Sequence, residues 1–256
     1  MSYQTLSSQK KNNVLSITVT DLLSDQIEVA QLSDELTQLR AEIALDDEIR
    51  VVILTSSREK SFSIGINLIG GISRTNEEVQ QSFSLAEPIT KLDRPIIASI
   101  SGDAIGQGLE LALACDMRIA SETSRFGLPQ IKAGHIPWDG GTQRLSRLVG
   151  RGKALEMILT GETIDAQEAL RIGLVNKVVP KEELMKVAMK MAQEMASKGP
   201  IALKYAKEAV YKGMDMTLEQ GLRLEADLYL LIHTSKDRTE GIQAFREKRT
   251  PKFEGK

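Results

Sequence analysis

Cysteine and histidine are scarce in this chain of 256 residues, which contains one cysteine, Cys115, and two histidines, His135 and His233. A single cysteine cannot form an intrachain disulfide, so a reducing compartment is favoured over secretion. Two histidines without carboxylates clustered at ligand spacing argue against a metal site. We expect Cys115 to be a small buried hydrophobic residue and His135 to be a hydrogen-bonding residue of a loop.

Long apolar runs and an excess of charge of either sign are also missing. No apolar run approaches the length of a membrane span, and the polar segment 1–13 lacks the apolar core of a secretory signal. The formal net charge of -2 removes the electrostatic argument for nucleic acid or an anionic membrane as the main partner. A cytoplasmic enzyme or binding protein is therefore the default expectation.

The most informative stretch is an apolar strand that leads into a glycine turn and a helix. The run 94–100 is apolar after its proline and is predicted to be a buried strand. Gly106 and Gly108 allow a sharp turn and the close approach of a ligand. The next helix would present its first N–H groups at the positive end of its dipole, which suits an oxyanion hole or a phosphate cradle. A dinucleotide-binding fingerprint fits less well, because Leu111 stands at the third glycine position.

Glu110 falls in the first turn of the helix that follows this glycine turn. A carboxylate there is favoured by the helix dipole, so a solvated surface glutamate is one interpretation. A carboxylate beside a predicted oxyanion hole is also placed for proton transfer. The residues of this stretch alone leave both interpretations open.

Apolar periodicity alternates between strand and helix patterns over the first two thirds of the chain. It predicts strands at 14–19, 50–55, 94–100 and 116–120, and helices at 29–45, 77–92, 142–148 and 153–159. Segment 126–141 is dense in glycine and proline and is predicted to be an irregular surface loop. The alternation predicts an α/β core with a parallel sheet.

Beyond residue 180 the pattern is helical only. The predicted helices are 181–197, 201–211 and 218–233. The first of them carries four methionines, which we expect to fill the core, because methionine adapts to irregular gaps. This C-terminal part could pack on its own core or on a neighbouring subunit.

Short motifs of distinctive composition lie along nearly the whole chain. They are Ile64-Gly65-Ile66-Asn67, Gly106-Gln107-Gly108-Leu109-Glu110-Leu111-Ala112 with Cys115-Asp116, Gly140-Gly141-Thr142-Gln143-Arg144-Leu145, Leu159-Thr160-Gly161, Gly173-Leu174-Val175, and Glu240-Gly241 with Phe245 and Glu247-Lys248-Arg249. Together they resemble the crotonase superfamily, the enoyl-CoA hydratases and isomerases.

The resemblance implies a fold, a substrate class and an assembly. The fold would be α/β, with a crotonase-like ββα spiral core in residues 1–196 and a helical trimerisation region in residues 197–256. The substrate would be an acyl-CoA thioester, whose enolate the protein stabilises, and no separate cofactor is expected. The assembly would be a homotrimer or a dimer of trimers.

The resemblance also implies roles for individual residues. The backbone N–H groups of Ile66 and Gln107 would form the oxyanion hole, and Glu110 would match the first catalytic glutamate. The carbonyl of Ile64 falls where relatives hold the adenine amino group. Lys60 falls where a lysine approaches the CoA phosphates, although a solvated loop charge is the alternative. Two further residues match C-terminal positions that reach bound acyl-CoA in relatives, some across a subunit boundary, and these are Phe245 and Lys248.

The chain departs from the family pattern at the second catalytic glutamate, where it has Gln130. A neutral amide can orient water but cannot act as an acid or a base. Loss of one general acid/base costs about 10²–10⁴-fold in rate. Asp139 is a candidate replacement or a loop-capping residue, since related isomerases carry an aspartate one position earlier, at the place of Trp138. Trp138, the only tryptophan, either narrows the acyl pocket or packs under the loop.

The sequence therefore favours an acyl-CoA enzyme of the hydratase/isomerase class with Glu110 as acid/base. Gln130 would position water or substrate, and Asp139 is a candidate second acid/base. Isomerase, thioester hydrolase and decarboxylase activities remain open, because all of them reuse one oxyanion hole. From another class, a non-catalytic subunit that binds CoA thioesters is the alternative hypothesis.

Overall fold

The computed structural model describes residues 3–20, 26–57, 62 and 84–256. Three residues with predicted roles in CoA binding or in the oxyanion hole, Lys60, Ile64 and Ile66, lie outside the described residues. The start of the helix predicted at 77–92 does so as well.

Nine strands are described in this part of the chain: β1 (Leu6–Lys11), β2 (Val14–Val19), β3 (Val51–Ser56), β4 (Ile96–Ile100), β5 (Ala104–Ile105), β6 (Met117–Ser121), β7 (Arg125–Gly127), β8 (Thr163–Asp165) and β9 (Lys177–Val179). Six of them form one sheet in the order β1-β2-β3-β4-β6-β9. Strands β1 and β2 are antiparallel, and every later pair in this sheet is parallel. Strands β5, β7 and β8 form a second, small sheet.

The helices of the described residues are α1 (Gln26–Leu45), α2 (Ala86–Thr90), α3 (Gln107–Ala114), α4 (Gly141–Val149), α5 (Arg151–Thr160), α6 (Ala166–Arg171), α7 (Leu184–Ala196), α8 (Pro200–Gly213), α9 (Leu218–Ile232) and α10 (Lys236–Glu247). Short 3₁₀ helices span Pro129–Ala133 and Lys181–Glu183. The predicted strands and most predicted helices are confirmed to within a few residues. No helix in the described ranges is long and apolar enough to cross a membrane.

The central strands of the large sheet are buried on both faces, which explains the unbroken apolar run of β3. Side chains alternate between faces along a strand, so Val52 and Leu54 join the larger core, whereas Val51 and Ile53 face α7. Helix α7 packs on this second face through residues four apart, which are Leu184, Ala188, Ala192 and Ala196. Met189, Met191 and Met195 border the same cluster, as expected from their spacing, while Met185 is 39% exposed.

Helices α8 and α9 pack on each other and carry few buried side chains. Helix α8 has none, and α9 buries only Leu228. Large apolar side chains on these two helices are exposed instead, including Val210, Tyr211, Leu218, Leu222 and Tyr229. The division of the chain at residues 196 and 197 stays a prediction, although α7 ends at Ala196 and packs on the sheet.

Two expectations need correction. The helix predicted at 77–92 is not continuous over the described residues, because Ser84 and Leu85 are not helical and α2 begins only at Ala86. Segment 126–141 is not an irregular surface loop throughout, because it starts in β7, forms the 3₁₀ helix Pro129–Ala133 and buries Gln130, Pro137 and Asp139. Its polar side chains can be buried because backbone N–H groups and neighbouring side chains bind them.

Candidate active site

Helix α3 begins at the predicted glycine turn and is buried along its whole length. Gly106 caps it with φ 59° and ψ −128°, a conformation open to glycine but strained for other residues. The N–H of Gly106 donates to the carbonyl of Gly127 at 2.9 Å, which joins the turn to β7. This hydrogen bond fixes the position of the start of the helix, whose first residue is Gln107.

The Glu110 carboxylate is enclosed by hydrogen-bond donors and has an exposed fraction of 0%. Its Oε1 accepts from the N–H of Asp139 at 2.8 Å and from the N–H of Gly141 at 2.9 Å. Its Oε2 accepts from Nε2 of Gln130 at 3.2 Å. The solvated first-turn glutamate that the sequence left open is therefore excluded.

The pKa of Glu110 is raised to about 7. Burial is the largest cause, because it disfavours the charged form, and the negative charge of Asp139 acts in the same direction. The N–H groups of Gly141 and Asp139 and the charge of Arg144 lower this pKa and limit the rise. Near neutral pH both protonation states are populated, so this carboxyl group can accept a proton and return it.

Gln130 lies in the 3₁₀ helix Pro129–Ala133 with its side chain against Glu110. The residue is 5% exposed. Its Oε1 is buried and has no hydrogen-bond partner among the described residues. A buried acceptor of this kind is normally satisfied by water or by a ligand. Gln130 is therefore suited to accept a hydrogen bond from a bound molecule while its Nε2 donates to Glu110.

The Asp139 carboxylate does not share a hydrogen bond with the Glu110 carboxylate; only its backbone N–H reaches Glu110. Its Oδ1 accepts from the hydroxyl of Ser84 at 2.5 Å. Its Oδ2 accepts from the N–H groups of Leu85 at 2.9 Å and Ala86 at 3.1 Å. These amides start helix α2, so the geometry is that of the capping alternative. Burial raises the pKa of Asp139, against the effect of these hydrogen bonds.

The side chain of Gln107 is 2% exposed and turns towards Asp139. Its Nε2 donates to Oδ2 of Asp139 at 3.3 Å. The amide that begins α3 and the carboxylate that caps α2 are thus joined by one hydrogen bond.

Two adjacent glycines fit tightly beside the two carboxylates. Gly140 has φ 99°, and a Cβ there would lie 1.9 Å from Nη1 of Arg144. The same Nη1 donates to the carbonyl of Asp139 at 2.8 Å. A Cβ on Gly141 would lie 2.9 Å from Oε1 of Glu110. The glycine pair therefore lets the loop close over the carboxylate.

Sequence reasoning missed two residues of this network, Ser84 and Arg144. Arg144 belongs to the quoted motif at 140–145 and follows the glycine pair, which was an available signal. Ser84 had no signal, because it reaches Asp139 across 55 positions of the chain.

Other predicted residues occupy varied environments. Trp138 is partly buried and packs against the main core, which leaves its pocket role a prediction. Phe245 is 86% exposed near the end of α10, and Lys248 caps that helix with φ 55°.

Cys115 is buried as expected, and burial raises the pKa of its thiol to about 12. His135 is an exposed loop residue whose N–H donates to the carbonyl of Gln130 at 3.1 Å.

No group of three or more histidine, cysteine, aspartate or glutamate side chains among the described residues could hold a metal ion.

Comparison with known proteins identifies close relatives. The family model described as enoyl-CoA hydratase/isomerase matches residues 9–256. A short-chain-enoyl-CoA hydratase of Clostridium acetobutylicum is 41% identical over 226 residues, covering 86% of this chain and 85% of that protein. An (E)-benzylidenesuccinyl-CoA hydratase of Thauera aromatica is 40% identical over 224 residues, covering 86% of this chain and 88% of that protein. The crystal structure of an enoyl-CoA hydratase from Bacillus anthracis is similar with a TM-score of 0.88 at 40% identity, covering 99% of this chain and 100% of that one.

Proposed function

Because the chain belongs to the enoyl-CoA hydratase/isomerase family, we propose that it adds water across the α,β double bond of an enoyl-CoA thioester. Family membership and relatives at this level of identity make it an acyl-CoA enzyme of the hydratase/isomerase type. The observation that carries the finer proposal is the buried Glu110, whose pKa of about 7 lies near neutral pH. The acyl-CoA is the substrate, and the proposal involves no further cofactor.

Glu110 alone can carry the proton through hydration. Its Oε2 removes a proton from water while the water oxygen forms a bond to Cβ of the substrate. The electrons of the double bond move towards the thioester, whose oxygen becomes the enolate oxygen. When the enolate collapses, Cα takes the proton back from Glu110, so that H and OH have been added and the carboxylate is regenerated.

Gln130 fits the task of holding the attacking water in this proposal. Its Nε2 donates to Oε2 of Glu110 at 3.2 Å. Its buried Oε1 would accept a hydrogen bond from the water, since none of the described residues donates to it. The amide would thus orient the water without giving or taking a proton.

The enolate oxygen would be stabilised by backbone N–H groups. Gln107 begins α3, so its amide points out at the positive end of the helix dipole. Ile66 is the second donor implied by the resemblance. Removal of one such donor typically costs about 2.7–4 kcal/mol of transition-state stabilisation.

Replacement of Glu110 tests the hydration proposal. We expect Glu110→Gln to lower kcat for crotonyl-CoA hydration by about 10²–10⁴-fold, because the amide cannot transfer the proton. Affinity for saturated butyryl-CoA should persist. The rate is followed by the loss of conjugated thioester absorbance. Glu156→Gln, on the exposed surface of α5, is the matched control and should keep full activity. A Glu110→Gln variant as fast as the wild type would contradict the role of Glu110.

Double-bond isomerisation is the second candidate, favoured by one observation. Gln130 provides no second acid/base beside Glu110, and isomerisation needs a single base that moves a proton between carbons. The two reactions separate in D₂O, where NMR distinguishes a hydroxyacyl product from a shifted double bond carrying deuterium. An isomerised product without hydration would contradict the hydration proposal and support double-bond isomerisation.

The assembly and location of the protein are also proposals. A homotrimer or a dimer of trimers is supported by the exposed apolar side chains of α8 and α9. The same assembly would bring Phe245 and Lys248 near the site of another subunit. A cytoplasmic location is supported by the single cysteine.

A further inference from the structure

We propose that Asp139 is a positioning residue that joins the Glu110 carboxylate, the start of α3 and the start of α2 into one rigid unit. This inference rests on the proposed acid/base role of Glu110. It gives Asp139 a different task from the second acid/base that the sequence suggested. The residue acts through Glu110 and Gln107, not by contact with the substrate.

The carboxylate of Asp139 holds the beginning of α2. Both oxygens accept hydrogen bonds there, one from the Ser84 hydroxyl and one from the N–H groups of Leu85 and Ala86. Ser84 is itself bound, because its Oγ accepts from the N–H of Glu87 at 3.0 Å. A helix of five residues is too short to be stable alone, so this cap from a distant loop fixes its position.

The same carboxylate restrains the first residue of α3. Nε2 of Gln107 donates to Oδ2 of Asp139 at 3.3 Å. The restrained residue is the one whose backbone N–H is the proposed oxyanion donor. Hydrogen bonds to a buried charge are stronger than those between neutral groups, so this contact limits rotation of the Gln107 side chain.

The backbone of Asp139 completes the unit from the other side. Its N–H donates to Oε1 of Glu110 at 2.8 Å, and its carbonyl accepts from Nη1 of Arg144 at 2.8 Å. The peptide groups on both sides of the residue are therefore fixed, and with them one oxygen of Glu110. The other oxygen, Oε2, is left to face Gln130 and the proton-transfer path.

The negative charge of Asp139 also affects the pKa of Glu110, in addition to the hydrogen bonds. Among the charged groups of the described residues, Asp139 raises the pKa of Glu110 and Arg144 lowers it. Asp139 is 6% exposed, so water screens its charge poorly. The buried aspartate therefore helps to keep the pKa of Glu110 near neutral pH without contacting the substrate.

Asp139→Asn tests the proposal, because it removes the charge and keeps the shape. Loss of a nearby negative charge favours ionisation of Glu110, so its pKa should fall. The acidic limb of the kcat/KM profile for crotonyl-CoA should move down by the same amount. A substrate-free readout is the carboxyl ¹³C NMR titration of Glu110, assigned by the signal missing in Glu110→Gln.

Asp237→Asn is the matched control. Asp237 is also 6% exposed, and its carboxylate accepts from the N–H groups of Glu254 at 2.7 Å and Gly255 at 2.9 Å. It holds the C-terminal tail and not the site, so its variant should lose stability without moving the titration of Glu110. A shift of equal size in both variants would overturn the proposal, as would an unchanged titration in a folded Asp139→Asn protein.

A second variant keeps the proposal testable if Asp139→Asn fails to fold. Gln107→Met removes the amide donor to Asp139 but keeps the backbone N–H. It should lower kcat several-fold with little change in KM, because the restraint matters most in the transition state. Unchanged kcat would overturn the link between Gln107 and Asp139.

The two proposals can fail separately. If the wild type hydrates no enoyl-CoA but Asp139→Asn still shifts the Glu110 titration, the positioning role is supported and the hydration proposal is contradicted. If the wild type is an active hydratase and the titration does not move, only the positioning role falls.

Discussion

Gln130 places an amide where a site with two catalytic glutamates would have its second carboxyl group. Its amide donates to Glu110 and leaves a buried acceptor, so the site has one proton carrier and one orienting group. In the proposed mechanism, one carboxylate held by two backbone N–H groups and one amide performs every proton transfer. A pKa of about 7 suits that role.

Gln130→Glu should change the pH dependence of hydration. A carboxylate placed about where the amide now lies would repel the ionised form of Glu110 and raise its pKa above about 7. Because the ionised form accepts the proton from water, the acidic limb of kcat/KM should move to higher pH. The plateau rate should rise if the new carboxyl group adds a second acid/base.

Gln193→Glu, on the exposed side of α7, is the control for this change. It adds the same charge away from the site and should leave the pH profile unchanged. An unshifted acidic limb in Gln130→Glu would show that the side chain at this position does not act on the titration of Glu110.

At the scale of elements, the loop between the 3₁₀ helix and α4 determines how the backbone of Asp139 meets the Glu110 carboxylate. The loop ends in Gly140 and Gly141, and α4 begins there without a side-chain cap. Arg144, one turn into α4, reaches back to bind the loop carbonyl. Helix α4 thus stabilises the loop that holds Glu110.

Gly140→Ala should weaken both stability and activity. Its φ of 99° is strained for alanine, at a cost of about 1–3 kcal/mol in the free energy of unfolding. The new Cβ would also displace the Arg144 guanidinium from the Asp139 carbonyl. Urea unfolding and crotonyl-CoA hydration measure the two effects.

Gly150→Ala separates backbone strain from the lost contact. Gly150 has φ 82°, and a Cβ there meets nothing within 4 Å. Its variant should show the stability loss from strain with little loss of kcat. Equal kcat in the two variants would argue against a functional role for the contact between Arg144 and the loop.

For the whole molecule, the exposed apolar side chains of α9 need explanation. Leu218, Leu222 and Tyr229 are 80%, 56% and 62% exposed. Their spacing of four and seven residues places them on one side of the helix. Apolar stripes of this kind mark interaction sites, and a second copy of the chain is the proposed partner.

Leu222→Asp should therefore lower the mass of the assembly in sedimentation, because it places a charge in an apolar contact. The wild type should sediment as three or six chains. Leu45→Asp, at an 88% exposed position at the end of α1, is the matched control and should sediment like the wild type. A monomeric wild type would contradict the proposed assembly.

Local patterns were sufficient for most of the fold. The apolar run of β3 and the glycines before α3 specify a buried strand and a sharp turn, because both depend on neighbouring residues only. The bounds of α2 could not be predicted as well. Its start depends on the Asp139 cap, which lies more than fifty positions away.

The sequence by itself determined the α/β class, the family resemblance and Glu110 in the first turn of a helix. It left open whether Glu110 was solvated and which donors would bind the Asp139 carboxylate. Only the tertiary structure decided both, because burial and hydrogen bonding depend on segments brought together from residues 84–86, 107–110, 130 and 139–144. A periodicity reports which side of an element is apolar, but it carries no information on which distant N–H group will meet a carboxylate.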